Sequence, residues 1–190
     1  MVEGTLQLTD IPDLSTFEGD RTTSEPFLDG WYGGTILEKR AFTDSNGNDR
    51  VFESSDTPSQ NGASRNIKLQ IELKRQSDGR ALNISALTNY QPEDLTQAVV
   101  QAVNADTARA KEGEKRTMFR EFMVLDRLSK LQRIAGVRQL QRNGNGGLEL
   151  TPLFGKKAFF RIGPDKRSDG KYKAIIEYSE KGPKQANKVL

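Results

Sequence analysis

The feature that most restricts this chain is a strict two-residue alternation in which Ile67, Leu69, Ile71 and Leu73 interleave with Lys68, Gln70, Glu72 and Lys74. Successive side chains of a strand point to opposite faces, so this segment reads as a strand with one buried and one wet face. Ser77-Asp78-Gly79 supplies reversal residues, and Leu82, Ile84 and Ala86 resume the alternation, which predicts an antiparallel hairpin. Its apolar side needs partners. Aromatic and β-prone residues from Trp31 to about Phe42 read as an earlier strand, and Lys156–Ile162 and Tyr172–Tyr178 as two later ones, joined by the basic loop Gly163–Lys171. At Gln91-Pro92-Glu93-Asp94 the period changes to a helical one. Leu95, Val99 and Val103 carry a first helix, Met118, Phe122, Leu125, Leu128, Leu131 and Ala135 a second, and Gly136 is placed to stop it. The polar stretch from Asp44 through Gly62 reads as a long loop, and Asn143–Gly147 as a mobile, glycine-rich connector.

The order is therefore three strands, a helical segment, then two strands. A five-stranded antiparallel β-barrel of OB-fold type, α+β by content, has this order, with a two-helix insertion at about residues 92–136 between its third and fourth strands. The expected organisation is an arm over 1–29, a barrel domain over 30–180 and a tail over 181–190.

Composition excludes much chemistry. The 190 residues include no cysteine and no histidine. Thiolate metal sites, iron–sulfur clusters, Cys or Ser–His nucleophile systems and histidine bases are therefore unavailable, and no cofactor is expected. No apolar run approaches the roughly 18 residues of a membrane span, the N-terminus lacks the pattern of a signal peptide, and the missing cysteines suit a reducing cytoplasm, which is the expected location. The net charge of +3 conceals an asymmetry. Glu3, Asp10, Asp13, Glu18, Asp20, Glu25 and Asp29 face the single base Arg21 in the first thirty residues, whereas lysine and arginine dominate from Lys156 onward. A flexible or partner-ordered acidic arm thus precedes a domain whose basic part suits a polyanion, and the arm is placed to mask that part or to bind replication or recombination proteins.

Gly30-Trp31-Tyr32, the Ile67–Leu87 hairpin, Arg133-Ile134-Ala135-Gly136-Val137 and Leu153-Phe154-Gly155-Lys156-Lys157, in that order, resemble the single-stranded DNA-binding proteins of tailed bacteriophages. The likeness spans roughly residues 30–180. It implies an OB-fold and a non-enzymatic protein that coats single-stranded DNA in phage replication and recombination, in the host cytoplasm. Many such proteins end in an acidic recruiting tail, whereas this chain ends Lys184-Gln185-Ala186-Asn187-Lys188-Val189-Leu190.

Single-strand binding needs cations that follow phosphates and aromatic faces on which bases stack. The candidate cations are Lys68, Lys74, Arg75 and Arg80 on the hairpin, Lys39, Arg40 and Arg65 on the first strands, Lys157 and Arg161, and Lys166, Arg167 and Lys171 in the last loop. Each has a solvated surface charge as its competing reading. Alternation puts Ala158, Phe160 and Ile162 inward and Phe159 outward between Lys157 and Arg161, so Phe159 is the first stacking candidate. Trp31 and Tyr90, at strand ends, follow, each with a core role as the alternative. The second helix carries Arg120, Arg127, Lys130, Arg133 and Arg138, for which a solvated face is the simpler account. Two other functions stay in view. A magnesium-dependent nuclease would use Glu72, Lys74, Asp49 and Asp56, and a phage structural or adaptor protein would use the barrel for protein contacts. A calcium loop at Asp44 fails because Asp49 and Ser55 stand where glycine and glutamate belong, and Gly155-Lys156 lacks the glycine upstream that a phosphate loop requires.

Overall fold

The computed structural model describes residues 27–44, 46–165, 169–170 and 172–183. The expected arm up to residue 26, the loop cations Lys166, Arg167 and Lys171, and the tail from Lys184 lie outside the described residues. Among the described residues, eight strands and two α-helices follow in chain order: β1 (Gly30–Leu37), β2 (Lys39–Thr43), β3 (Asp49–Glu53), β4 (Ser55–Pro58), β5 (Arg65–Lys74), β6 (Ala81–Tyr90), α1 (Gln97–Lys111), α2 (Phe119–Ala135), β7 (Lys157–Pro164) and β8 (Lys173–Ser179).

The alternating segment became β5, the strand that organises the sheet. Along one edge it pairs with β6 over its whole length, from Arg65↔Tyr90 to Lys74↔Ala81. Its other edge is shared, with β4 over Arg65–Lys68 and β1 over Gln70–Lys74. β1 then pairs with β7, and β7 with β8, all antiparallel. The result is mostly antiparallel sheet with two helices, an α+β chain.

Four expectations are corrected. The sheet holds six strands and is open: among the described residues no backbone pairing joins β6 to β8, so a closed five-stranded barrel is not what forms. In place of that seam, the buried Tyr178 hydroxyl lies 3.4 Å from the Thr88 hydroxyl and 3.4 Å from the Arg127 carbonyl, with α2 packed against both strands. Burial pushes the Tyr178 pKa up to about 12, so it remains a neutral donor there. The first strand does not run to Phe42 but breaks at Glu38, and the expected loop over 44–62 contains β3 and β4. Neither shows an apolar period, because β3 is exposed throughout and β4 buries a carboxylate, so the sequence pattern is blind to both. The Asn143–Gly147 connector is an ordered turn, in which the Asn143 carboxamide oxygen accepts from the Asn145 and Gly147 amides at 3.0 Å each.

Tyr32 and Ile36 of β1, the alternate residues of β5, and Ala158, Phe160 and Ile162 of β7 form the inner face, closed by Leu128, Leu131 and Ile134 of α2. Gly34 sits where strands approach most closely. A Cβ there would lie 2.8 Å from Leu73 Cδ2, 2.9 Å from the Glu72 carbonyl oxygen and 3.0 Å from Phe160 Cδ2. The helices depend on polar staples as much as on apolar contact. α1 buries only Val103 and Asp106. The Asp106 carboxylate accepts from the Thr117 hydroxyl at 2.6 Å and from the Thr117 and Met118 amides at 3.0 and 3.2 Å, capping the start of α2 from α1. The Arg120 guanidinium holds Asp94 through two bonds, at 2.6 and 3.1 Å. No helix of the described residues is long and apolar enough to cross a membrane.

Two predictions follow from this packing. Gly34→Ala is expected to cost ~1–3 kcal/mol, because a backbone carbonyl cannot yield to the methyl, and to lower the urea midpoint without changing the slope. The bonds from Thr117 and Met118 bring the Asp106 pKa down to about 2 from 3.8, so its contribution is complete above the unfolded value and is lost as pH falls from 3.8 through 2. Far-ultraviolet circular dichroism under mild denaturant is expected to show Asp106→Asn less stable than wild type at pH 7, with a shallower loss of stability between pH 4 and pH 2.

Candidate nucleic-acid interface

Registers of β6, β5, β1 and β7 bring the outward residues of four strands into cross-strand rows. One row runs Ala81, Lys74, Gly33, Phe159, and the next Asn83, Glu72, Thr35, Lys157. Trp31 stands opposite Arg161 on the same face. Directly opposed side chains in a sheet lie about 5 Å apart and diagonal ones about 7–8 Å, so Trp31 and Phe159 are diagonal neighbours across Gly33. Both rings are partly buried, whereas Lys74, Lys157 and Arg161 are exposed. A Cβ at Gly33 would meet nothing within 4 Å, which leaves a notch of open space over the strand between the positions of Trp31 and Phe159. The chain at Gly182 packs against the outer end of the Phe159 ring, where an added Cβ would come within 3.2 Å of Cζ.

The cations on this face have weak internal partners. Lys74 Nζ is 4.0 Å from Glu72, and Arg161 is 3.8 Å from Glu177. Exposed pairs of this kind contribute about 0–1 kcal/mol, so phosphates can replace them readily.

Toward the other end of β5 the β2–β3 ribbon comes over Lys68. Phe42 and Phe52 stack at 4.8 Å between centroids and 15° between planes, with the Arg40 guanidinium 5.8 and 5.2 Å from the two rings. Lys68 Nζ lies 4.7 Å from the Phe52 centroid, and this contact joins the ribbon to the sheet. Lys39 is exposed on the opposite face of the ribbon. Nothing in the sequence flagged this stack, since its partners approach only once β2 and β3 pair.

Three candidates point inward. The Asp56 side chain is fully buried and accepts from Arg65 Nε at 2.9 Å, from the Tyr90 hydroxyl at 2.6 Å and from the Leu148 amide at 2.6 Å. Arg65 also donates to the Asp56 carbonyl at 2.9 Å and the Asn145 carbonyl at 3.3 Å. Tyr90 is 0% exposed, and desolvation beside a carboxylate raises its pKa strongly. Arg65 and Tyr90 therefore serve a buried network that fastens β4, β5 and β6 to the turn before Leu148, and they are withdrawn from the candidate surface. A side chain at Gly147 would reach within 2.5 Å of this guanidinium, which accounts for glycine there. Arg75 is nearly buried, bonds Asp78 and lies 5.2 Å over the Phe27 ring. Its bonds hold the Asp78 carboxyl well below the usual range. Arg80 stays exposed at the turn, its guanidinium 5.9 Å from the same ring.

The network also bears on the nuclease alternative. Asp56 has both oxygens engaged, which removes it from the carboxylates that would hold a metal, and no group of three or more acidic side chains suited to one occurs among the described residues. What the outer face offers is positive charge beside flat apolar rings. Asn83, Leu87 and Asn89 of β6 share the outward parity. The two asparagines carry no signal of their own on a wet strand, and Leu87 is an exposed apolar residue on that face.

Asp56→Asn would leave the Arg65 cation buried without its counter-charge. Chemical denaturation is expected to show a loss of ~3–5 kcal/mol, the usual cost of breaking a buried pair from one side. Comparison with family models, with curated proteins and with solved structures finds no match to this chain.

Proposed function

We propose that this chain binds single-stranded DNA through the outer face of its sheet, with little sequence preference, as a non-catalytic coating protein of the kind found in phage replication and recombination. The observation that carries the reading is the Trp31–Gly33–Phe159 notch flanked by Lys74, Lys157 and Arg161 across three adjacent strands. Bases have apolar faces and strands have phosphates at regular spacing, so rings interleaved with cations fit both at once. The strand order β6-β5-β1-β7-β8, with helices between β6 and β7, supports an OB-type barrel whose last seam is left to side chains. Lys68, Arg80 and the Arg40–Phe42–Phe52 stack extend the same positive, aromatic character beyond the notch.

In this reading the cations supply most of the affinity through counterion release, and the rings add about 1–3 kcal/mol per stacked base. Neither reads base edges, so preference among sequences stays small. The runner-up is an adaptor protein, favoured by a groove of about 590 Å³ between α1 and α2 with a mixed lining, in which Leu95, Val103, Phe122 and Leu125 stand beside Asn104, Asp126 and Gln132.

Fluorescence anisotropy with labelled oligo-dT, mixed single strands and the duplex separates the two. Salt-sensitive binding that prefers both single strands is expected, and no binding at low salt would sink the proposal in favour of the adaptor. Gly33→Leu is the most informative variant. Its side chain has open space, so the urea midpoint is expected to hold, while filling the notch lowers affinity at least tenfold. Phe159→Ala is expected to lower affinity ~5- to 150-fold at constant salt slope. Lys157→Ala is expected to reduce that slope by about 0.7, one phosphate contact.

A further inference from the structure

Among the described residues β2 and β3 pair only with each other, so each has one edge of backbone groups with no ladder partner. Ladder parity says which groups these are. The Ser54 amide donates to the Glu38 carbonyl at 2.7 Å and the Asp44 amide to the Asn48 carbonyl at 2.9 Å, which puts the bonds within the ribbon on even-numbered residues. The N–H and C=O of Lys39, Ala41 and Thr43 therefore point to the free edge of β2. β3 is turned toward the sheet, where it packs on β5 and Phe52 meets Lys68, and β2 is the outer strand. The remaining edges are guarded: β4 has four residues and ends in Pro58, and β6 and β8 face each other under α2. β2 carries neither proline nor a shift of register, and an edge of that kind is a template for another strand.

We propose that β2 joins two copies of this chain, paired antiparallel about a two-fold axis at Ala41. The contact is independent of the proposed DNA reading. Its basis is self-complementarity. Full-length pairing sets Ala41 opposite the partner's Ala41, Arg40 opposite the partner's Phe42 and Lys39 opposite the partner's Thr43, with no like charges directly opposed. One face of the joined ribbons then reads Phe52, Arg40, the partner's Phe42 and the partner's Arg50, rings alternating with cations across four strands. This repeats between copies the contact that Arg40 already makes within its own ribbon, 5.8 Å from Phe42 and 5.2 Å from Phe52. The other face brings Val51, which is 57% exposed, and Ala41 into one apolar row with the same residues of the partner. β3 offers no such match, because two-fold pairing about Val51 sets Asp49 opposite the partner's Glu53 on both sides of the axis. Two five-residue strands bury less than the roughly 1,000 Å² of a lasting interface, so the dimer is weak and forms where copies are concentrated.

The chain has no cysteine, so one introduced thiol reports on the axis. Opposed Cα atoms of a hydrogen-bonded antiparallel pair lie about 5.5 Å apart, within the span of a disulfide. In a glutathione buffer the full-length Ala41→Cys protein is expected to form a disulfide dimer at least tenfold more readily than Val51→Cys. In the dimer Val51 is three strand spacings, about 14 Å, from its counterpart. Sedimentation velocity without DNA, from low micromolar to submillimolar protein, is expected to show reversible association of the wild-type chain that stops at a dimer. Ala41→Pro removes an N–H that the β2–β3 ladder does not use, so the urea midpoint is expected to hold while association weakens at least tenfold. Equal oxidation of the two cysteine variants would overturn the proposal, as would a monomer at every concentration. Growth beyond a dimer would overturn it too, since head-to-tail pairing of β2 with the β3 edge of another copy does not close. Undiminished association of Ala41→Pro at an unchanged midpoint would move the contact off this edge, and if that variant unfolds, the cysteine pair alone decides.

Discussion

Ten residues of β5 are hydrogen-bonded to three other strands, and the period of two in those residues decides what both faces of the sheet contain. A slip of one residue against β1 would drive Lys74 and Glu72 into the core and Leu73 and Ile71 into water, a change costing several buried side chains at about 1.5–3 kcal/mol each. The register is therefore set by burial. Because it is set, Lys74 falls opposite Gly33 and Gly33 opposite Phe159, and the outer face acquires its composition as a by-product of how the inner face must pack. Gly34, one residue along, serves the inner side by allowing Leu73 and Phe160 to close over it.

The arginines divide into two populations that the sequence does not separate. Arg65, Arg75 and Arg120 each meet an aspartate within the protein, at Asp56, Asp78 and Asp94, and hold a strand end, a turn and a helix in place. Arg161 and the lysines of the outer face meet only loosely placed, exposed carboxylates. Burial of one partner makes the difference: the Arg65 and Arg75 side chains are each 10% exposed, and Arg120, itself half exposed, serves an Asp94 carboxylate that is 4% exposed. A pair with a buried member is costly to break, while an exposed cation loses little by exchanging a distant, exposed carboxylate for a phosphate.

The helical insertion follows the same economy. α1 is polar on most of its surface and is tied to α2 by Asp106, while α2 is tied to the segment before α1 by Asp94 and Arg120. Polar staples fix the pair where apolar contact is sparse, and a groove between them stays open.

The hairpin, the outer strands, the two helices and the stop at Gly136 were legible because each writes a period or a terminator into consecutive residues. The outward parity of Phe159 between Lys157 and Arg161 was legible for the same reason. β3, β4 and the open seam were not, since pairing of polar strands and the approach of β6 to β8 depend on residues far apart in the chain. Tyr90 and Arg65 looked like surface groups until Asp56, nine residues before Arg65, was placed against both of them. The sequence by itself determined which residues of each strand share a face, because side-chain direction is a local property of the backbone. Only the tertiary structure decided which faces meet, because burial, ion pairing and the spacing of rings and cations arise between strands that the chain brings together from a distance.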